Sequence, residues 1–297
     1  MTRHLIRSAL LALCLLSLPG LAAAQTSNGY IQPFANPATP QGEVMPGVGA
    51  PSALLPGQPP LAEPVAPLLT PLALETPPAP VVVELFTSEG CSSCPPAHDY
   101  LRELSKRGDL LTLSFHVDYW DYIGWKDRFG DPAFAARQRA YAAARGKTII
   151  YTPQMVVAGA IEVVGSDRKA VEKTLKLADR RHSMYALSLA KDAAGAIHLG
   201  LPQAPLSVPA SLWLVTYVYE DATAIGGGEN RGRNLITTNV VRSLRKVGTW
   251  DGRPDDRIIS LTDAEIAAKP DACAIIANEA EFGPVVAAAA WDFKDLW

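Results

Sequence analysis

The sequence predicts an α/β chain whose first half alternates strands and helices and whose second half is an antiparallel β extension. Three observations carry this. Residues 81–86 are an apolar, β-like run that leads through a polar turn at Gly90 into an amphipathic run over 97–107. A second run of strand length, 109–115, is followed by a helical stretch over 133–145, so strands and helices alternate. From Met184 onward the period drops to two, in Y-A-L-S-L-A-K-D, A-I-H-L-G-L and S-L-W-L-V-T-Y-V-Y-E, with short polar turns such as 192–195 between the runs.

The first of these runs holds the chemistry. V-V-V-E-L-F-T-S-E-G-C-S-S-C-P-P-A-H reads as strand, turn, Cys-x-x-Cys, helix, with Pro95 and Pro96 in the first helical turn, where missing N–H groups cost little. A helix start offers unpaired N–H groups and the positive end of a dipole, which favour a thiolate. Cys91 is therefore the expected nucleophile, exposed and with a depressed pKa, and the more buried Cys94 would resolve the mixed disulfide. The same spacing also serves half a zinc site or a structural disulfide. Its place between a buried strand and a helix points to thioredoxin-like redox chemistry.

The N-terminal residues bear on the compartment. Arg3, His4 and Arg7 precede an apolar run over 9–18, and Ala22, Ala23 and Ala24 supply small residues before Gln25. This is the pattern of a secretory signal peptide over 1–24, and the apolar run is too short for a membrane span. Residues 25–79 hold more than half of the 25 prolines and show no helical or alternating period, which predicts a disordered, proline-rich tether. The mature chain then keeps Cys91, Cys94 and Cys273 in a periplasmic or secreted, oxidising setting. Cys273 lies in the apolar run A-C-A-I-I-A and reads as a small hydrophobe in a buried strand. A net charge of -3 gives no basic footprint for nucleic acid, and no phosphate-binding or dinucleotide glycine loop is present.

Two further stretches belong near the cysteines. The run 109–115 ends in H-V-D-Y-W-D, and adjacent parallel strands bring their carboxyl ends together, so His116 and Asp118 are expected beside the motif. They would move protons during thiol exchange or tie down the loop by hydrogen bonds. Trp120, Tyr122, Trp125 and Phe129 wall the cleft or pack the loop. Asp131-Pro132 predicts a helix cap, and Pro153 must head a strand rather than lie inside one, which makes Thr152–Pro153 a candidate cis peptide. A hairpin through Gly159 into 161–164 and a helix capped by Asp167 would complete the half.

A Thr-Pro after Cys-x-x-Cys and before a hairpin resembles the cis-proline loop of the thioredoxin superfamily, which implies that Pro153 sits against the cysteines and that the Thr152 backbone pairs with substrate. E-L-F-T-S-E-G-C-S-S-C-P-P, H-V-D-Y-W-D-Y-x-G-W-x-D, T-P-Q-M-V-V, G-E-N-R-G-R-x-L and N-V-V-R together resemble the secreted bacterial family known as domain of unknown function 1223. The resemblance spans Val81 to Trp291. It implies a thioredoxin-like fold over 80–183, a sandwich-like β-rich extension over 184–297 and a redox role with no assigned substrate. Glu89 departs from the glutamine expected there, and a carboxylate close to Cys91 would raise its pKa, with His98 partly compensating.

In the second half, Gly226 to Arg233 reads as a long hairpin tip. It is either a loose glycine turn or a loop whose Glu229, Asn230, Arg231 and Arg233 reach back over the cysteine cleft or hold an acidic partner. The expected catalytic set is thus Cys91, Cys94, His116, Asp118 and Pro153, with Thr152, Trp120 and Arg231 binding substrate. The substrate would be a protein thiol or disulfide, with an envelope redox partner and no cofactor. Two other readings stand. One is copper or zinc held by Cys91 and Cys94 with His116 as a third ligand; the other is a binding module that keeps the fold without the chemistry.

Overall fold

The computed structural model describes residues 79–181, 185–192 and 196–294. The expected signal peptide, the expected tether up to residue 78 and most of the expected turn at 192–195 lie outside the described residues.

The first strand, β1 (Val81–Thr87), is buried on both faces, which explains its unbroken apolar character. Val82 and Phe86 enter one core, whereas Val83 and Leu85 enter another on the opposite face. Helix α1 (Pro95–Leu104) follows, with Cys94 at its N-cap and both prolines in its first turn, and it buries Ala97, His98, Tyr100, Leu101 and Leu104. Strand β2 (Leu110–His116) pairs parallel to β1 and sets Thr87 opposite His116 at the carboxyl ends. A 3-10 turn (Asp121–Ile123) then leads to helix α2 (Pro132–Ala144), whose N-cap Asp131 accepts the Ala133 amide as the Asp-Pro pair predicts.

Strand β3 (Gln154–Val157) runs antiparallel to β1, and β4 (Ile161–Val164) closes a hairpin through Gly159, which has φ 66°. Helix α3 (Arg168–Arg181) packs Val171, Leu175 and Ala178 with α1 under the same face of the sheet. The order β4-β3-β1-β2, with helices on both faces, is a thioredoxin-like topology.

The second half comprises β5 (Tyr185–Ala186), β6 (Ser188–Lys191), β7 (Ile197–Leu201), β8 (Ala210–Ala224), β9 (Asn234–Trp250), β10 (Asp255–Ile259), helix α4 (Asp263–Ala267), β11 (Ala272–Glu279) and β12 (Val285–Asp292). It forms a curled β-rich extension in which β9, β8, β11 and β12 are antiparallel neighbours. The extension joins the first half edge to edge, because β9 pairs parallel to β2 and makes one sheet of nine strands. Only Ser114 and Val240 are register partners at that seam. Side chains complete it: Ser114 Oγ donates to the Thr238 carbonyl at 2.7 Å, and Asn239 Nδ2 donates to the Thr112 carbonyl at 2.8 Å. A small second sheet, β10-β7-β6, lies over the extension, where Leu199 and Leu201 share a core with Leu212, Leu214 and Ile275. The sandwich-like layering expected of this half is confined to that region.

Candidate functional site

Cys91 and Cys94 form a disulfide at the entry to α1, with Cα atoms 5.4 Å apart. The turn leading to them starts at the carboxyl end of β1, and the Cys94 amide donates to the Cys91 carbonyl at 3.1 Å, which closes the loop into the helix. Cys91 Sγ lies 3.3 Å from the Ser93 hydroxyl. Both cysteines are fully buried, which corrects the expectation of an exposed Cys91 over a more buried Cys94. The reason is tertiary. The hairpin tip between β8 and β9 lies across the motif, where Asn230 Nδ2 donates to the carbonyls of Glu89 at 2.8 Å and Cys91 at 2.9 Å, and the Ser92 amide donates to Glu229 at 3.3 Å.

His116 emerges at the end of β2 opposite Thr87, as parallel pairing requires, and its side-chain partner is Asp127. His116 Nδ1 donates to Asp127 Oδ2 at 2.7 Å, and both side chains are fully buried. The same carboxylate accepts the Glu89 amide at 2.7 Å and, through Oδ1, the Phe129 amide at 2.9 Å. Asp127 therefore ties the end of β2 to the residue two before Cys91. Burial opposes its charge, but His116 and these hydrogen bonds outweigh the burial and hold its carboxyl below the usual range. Asp118 is half-buried, and its backbone carbonyl accepts the Asp121 amide ahead of the 3-10 turn. Asp127 is the residue that sequence reasoning missed. It closes the quoted H-V-D-Y-W-D-Y-x-G-W-x-D motif, which was the available signal.

His98, on the first turn of α1, shares a hydrogen bond of 2.5 Å with Thr87 Oγ1, and its ring centroid lies 6.0 Å from that of His116. Burial first, and then the neighbouring His116, drives its pKa down to about 3. His98 is therefore neutral at physiological pH and cannot offset a carboxylate beside Cys91, which corrects that expectation. The Glu89 carboxylate turns to Trp125, whose Nε1 donates to it at 2.8 Å, and approaches Arg128 Nε at 4.0 Å.

The Thr152–Pro153 bond is cis, and Pro153 directly precedes β3. Trp120 connects this corner to the motif: its Nε1 donates to Thr152 Oγ1 at 2.7 Å, and its Cβ would lie 3.3 Å from a Cβ added to Gly90. Tyr122 stacks on Trp120 and is 82% exposed, whereas Phe129 is buried, so the aromatic run divides between rim and packing. Arg231 is exposed on the hairpin tip; the side chains that reach the motif are those of Glu229 and Asn230. Cys273 sits buried in β11 as a free thiol, and burial together with Glu265 pushes its pKa up to about 12.

Among the described residues, no group of three or more His, Cys, Asp or Glu side chains is arranged to hold a metal ion. No helix among them is long and apolar enough to cross a membrane. What remains is a closely spaced cysteine pair of the Cys-x-x-Cys type at a helix start, backed by a buried His116–Asp127 pair.

Comparison with solved structures finds a crystal structure of a protein from Agrobacterium tumefaciens with a TM-score of 0.61 and 28% identity, covering 71% of this chain and 92% of that one. HBP35 of Porphyromonas gingivalis aligns with a TM-score of 0.49 and 13% identity, over 72% of this chain and 75% of its own. No curated protein matches the chain significantly. The family model described as "Protein of unknown function (DUF1223)" matches residues 82–278, and the chain belongs to that family.

Proposed function

We propose that the chain is an exported thiol–disulfide oxidoreductase, periplasmic or secreted, in which Cys91 is the nucleophile and Cys94 the resolving thiol. The observation that supports this reading best is the Cys91–Cys94 disulfide at the start of α1, connected through Trp120 to the cis Thr152–Pro153 corner. A thiolate released there stands at the positive end of a helix dipole, which stabilises it for exchange. Pro153 and Thr152 would position an extended client segment, Trp120 and Arg231 would bound it, His116 would serve proton transfer with Asp127 as its partner, and Asp118 would take the proton of the resolving thiol. Clients would be protein thiols or disulfides, with an envelope redox partner restoring the pair.

The test is reduction of a protein disulfide such as that of insulin by protein whose Cys91–Cys94 pair has first been fully reduced and freed of reductant, followed over a single turnover. Wild type and Cys273→Ser should turn over alike, and Cys91→Ser should be inactive. Equal loss in both variants would place Cys273 in the mechanism. Absence of turnover in wild type would sink the redox reading. The burial of both cysteines favours a second reading, a thioredoxin-like binding module with a structural disulfide, and that last outcome would support it.

A further inference from the structure

A buried disulfide cannot be attacked in place, because a thiolate must reach a sulfur in line with the S–S bond. Cys91 and Cys94 have no accessible surface, yet Ser92 and Ser93 between them are exposed. The obstruction is therefore local. The β8–β9 tip is bonded to the motif loop at Glu89, Cys91 and Ser92, and it is fitted rather than loosely draped. Asn230 is fully buried, and its amide donates to two carbonyls of the motif loop, those of Glu89 and Cys91. Gly226 lies against the Trp125 ring, Gly228 faces Trp125 Cβ and the Ile123 side chain, and a Cβ on Gly227 would collide with the Gly124 carbonyl oxygen. The tip turns on Gly228 and Gly232, both at positive φ, and its ends are clamped by Ile225 and Arg233 pairing backbone to backbone.

We infer that Asn230 is a positioning residue of the redox site: it latches the β8–β9 tip over Cys91, so that the disulfide exchanges with a protein client that displaces the tip and not readily with small thiols. This rests on the redox reading for its biological sense. Its geometry also shows where such a client gains a hold. A cleft of about 420 Å³ lined by Pro95, Arg102, Arg233, Asn234 and Leu235 runs from the residue after Cys94 to the base of the tip. A client segment lying there touches α1 and the start of β9 at once, so its binding energy is available to move the tip. Once the tip lifts, an incoming thiolate bonds to Cys91 Sγ, the Cys91–Cys94 bond breaks, and its electron pair leaves on Cys94. A second thiol of the same client then resolves the mixed disulfide. The client dithiol ends as a disulfide, and its two protons end on Cys91 and Cys94.

The experiment measures the rate at which dithiothreitol reduces the Cys91–Cys94 bond, trapped by alkylation, in wild type, Asn230→Ala and Glu229→Gln. In the same samples, labelling of the buried Cys273 reports global opening. Loss of the two Asn230 hydrogen bonds should accelerate reduction roughly ten- to a hundredfold while Cys273 labelling stays unchanged. Glu229→Gln, which weakens one exposed contact, should accelerate it only about two- to fivefold. Wild type reduced as fast as Asn230→Ala would overturn the latch, and so would equal acceleration at Cys273, which would mean general loosening. The readout is chemical reduction by a small dithiol, so it stands or falls separately from turnover of a protein client.

Discussion

His116 and Asp127 are joined by a buried hydrogen bond of 2.7 Å, and the same Asp127 oxygen accepts the backbone amide of Glu89, two residues before Cys91. One carboxylate thus fixes both the end of β2 and the approach to the cysteine loop. Asp127→Asn keeps the shape but removes the charge and puts an amide where two donors converge. It should lower unfolding free energy by about 2–4 kcal/mol. Asp118→Asn, on the half-buried neighbour, should change it by less than about 1 kcal/mol. Urea denaturation of both variants checks this, and equal losses would remove the special place of Asp127.

Stability should depend on pH through His98. Its folded pKa of about 3 lies below its ordinary value of 6.5, so the unfolded chain binds the extra proton between those two values. The favourable contribution is present above pH 6.5 and is lost progressively as pH falls toward 3. The titratable and charged groups facing it are His116, Asp127 and Arg102, and their effects are smaller than that of burial. Between pH 7 and pH 5 the protein should lose about 2 kcal/mol from this group. His98→Gln gives up the Thr87 contact and lowers stability throughout, but its pH profile over that interval should be flatter. A parallel profile would show that His98 is not the titrating group.

Glu84 in β1 and Arg137 in α2 form a fully buried ion pair with hydrogen bonds of 2.6 and 3.0 Å, and Tyr141 and Asn278 of β11 complete the group. Burial opposes the Arg137 charge, but Glu84 more than offsets it and raises the pKa above the ordinary arginine value. Arg137→Ala leaves a buried carboxylate unpaired and should cost about 3–5 kcal/mol. Glu84→Leu combined with Arg137→Met should recover part of that loss, since Tyr141 and Asn278 keep each other. Thermal denaturation of the single and double variants measures the difference. A double variant no more stable than Arg137→Ala would mean that the ion pair is not the origin of the cost.

The elements of the first half and the closely spaced cysteine pair at a helix start were legible because they are written in short windows. The apolar run of β1, the proline pair at the start of α1, the Asp131 cap, the proline ahead of β3 and the buried run around Cys273 each depend on a few adjacent residues. Periodicity and capping chemistry act over such distances. What closes over the motif was decided elsewhere. Asn230 lies 139 residues from Cys91 in the chain. No local pattern separates a loose glycine tip from one that fits the cysteine loop. Likewise Asp118, Asp121 and Asp127 are equivalent as sequence neighbours of His116, and only the path of the loop around the 3-10 turn brings the last of them to its ring. The seam between β2 and β9, and the Glu84–Arg137–Asn278 group that crosses the two halves, are of the same kind. Such contacts form when packing of the whole sheet repays the entropy of closing long loops, and that sum is not contained in any one segment of the chain.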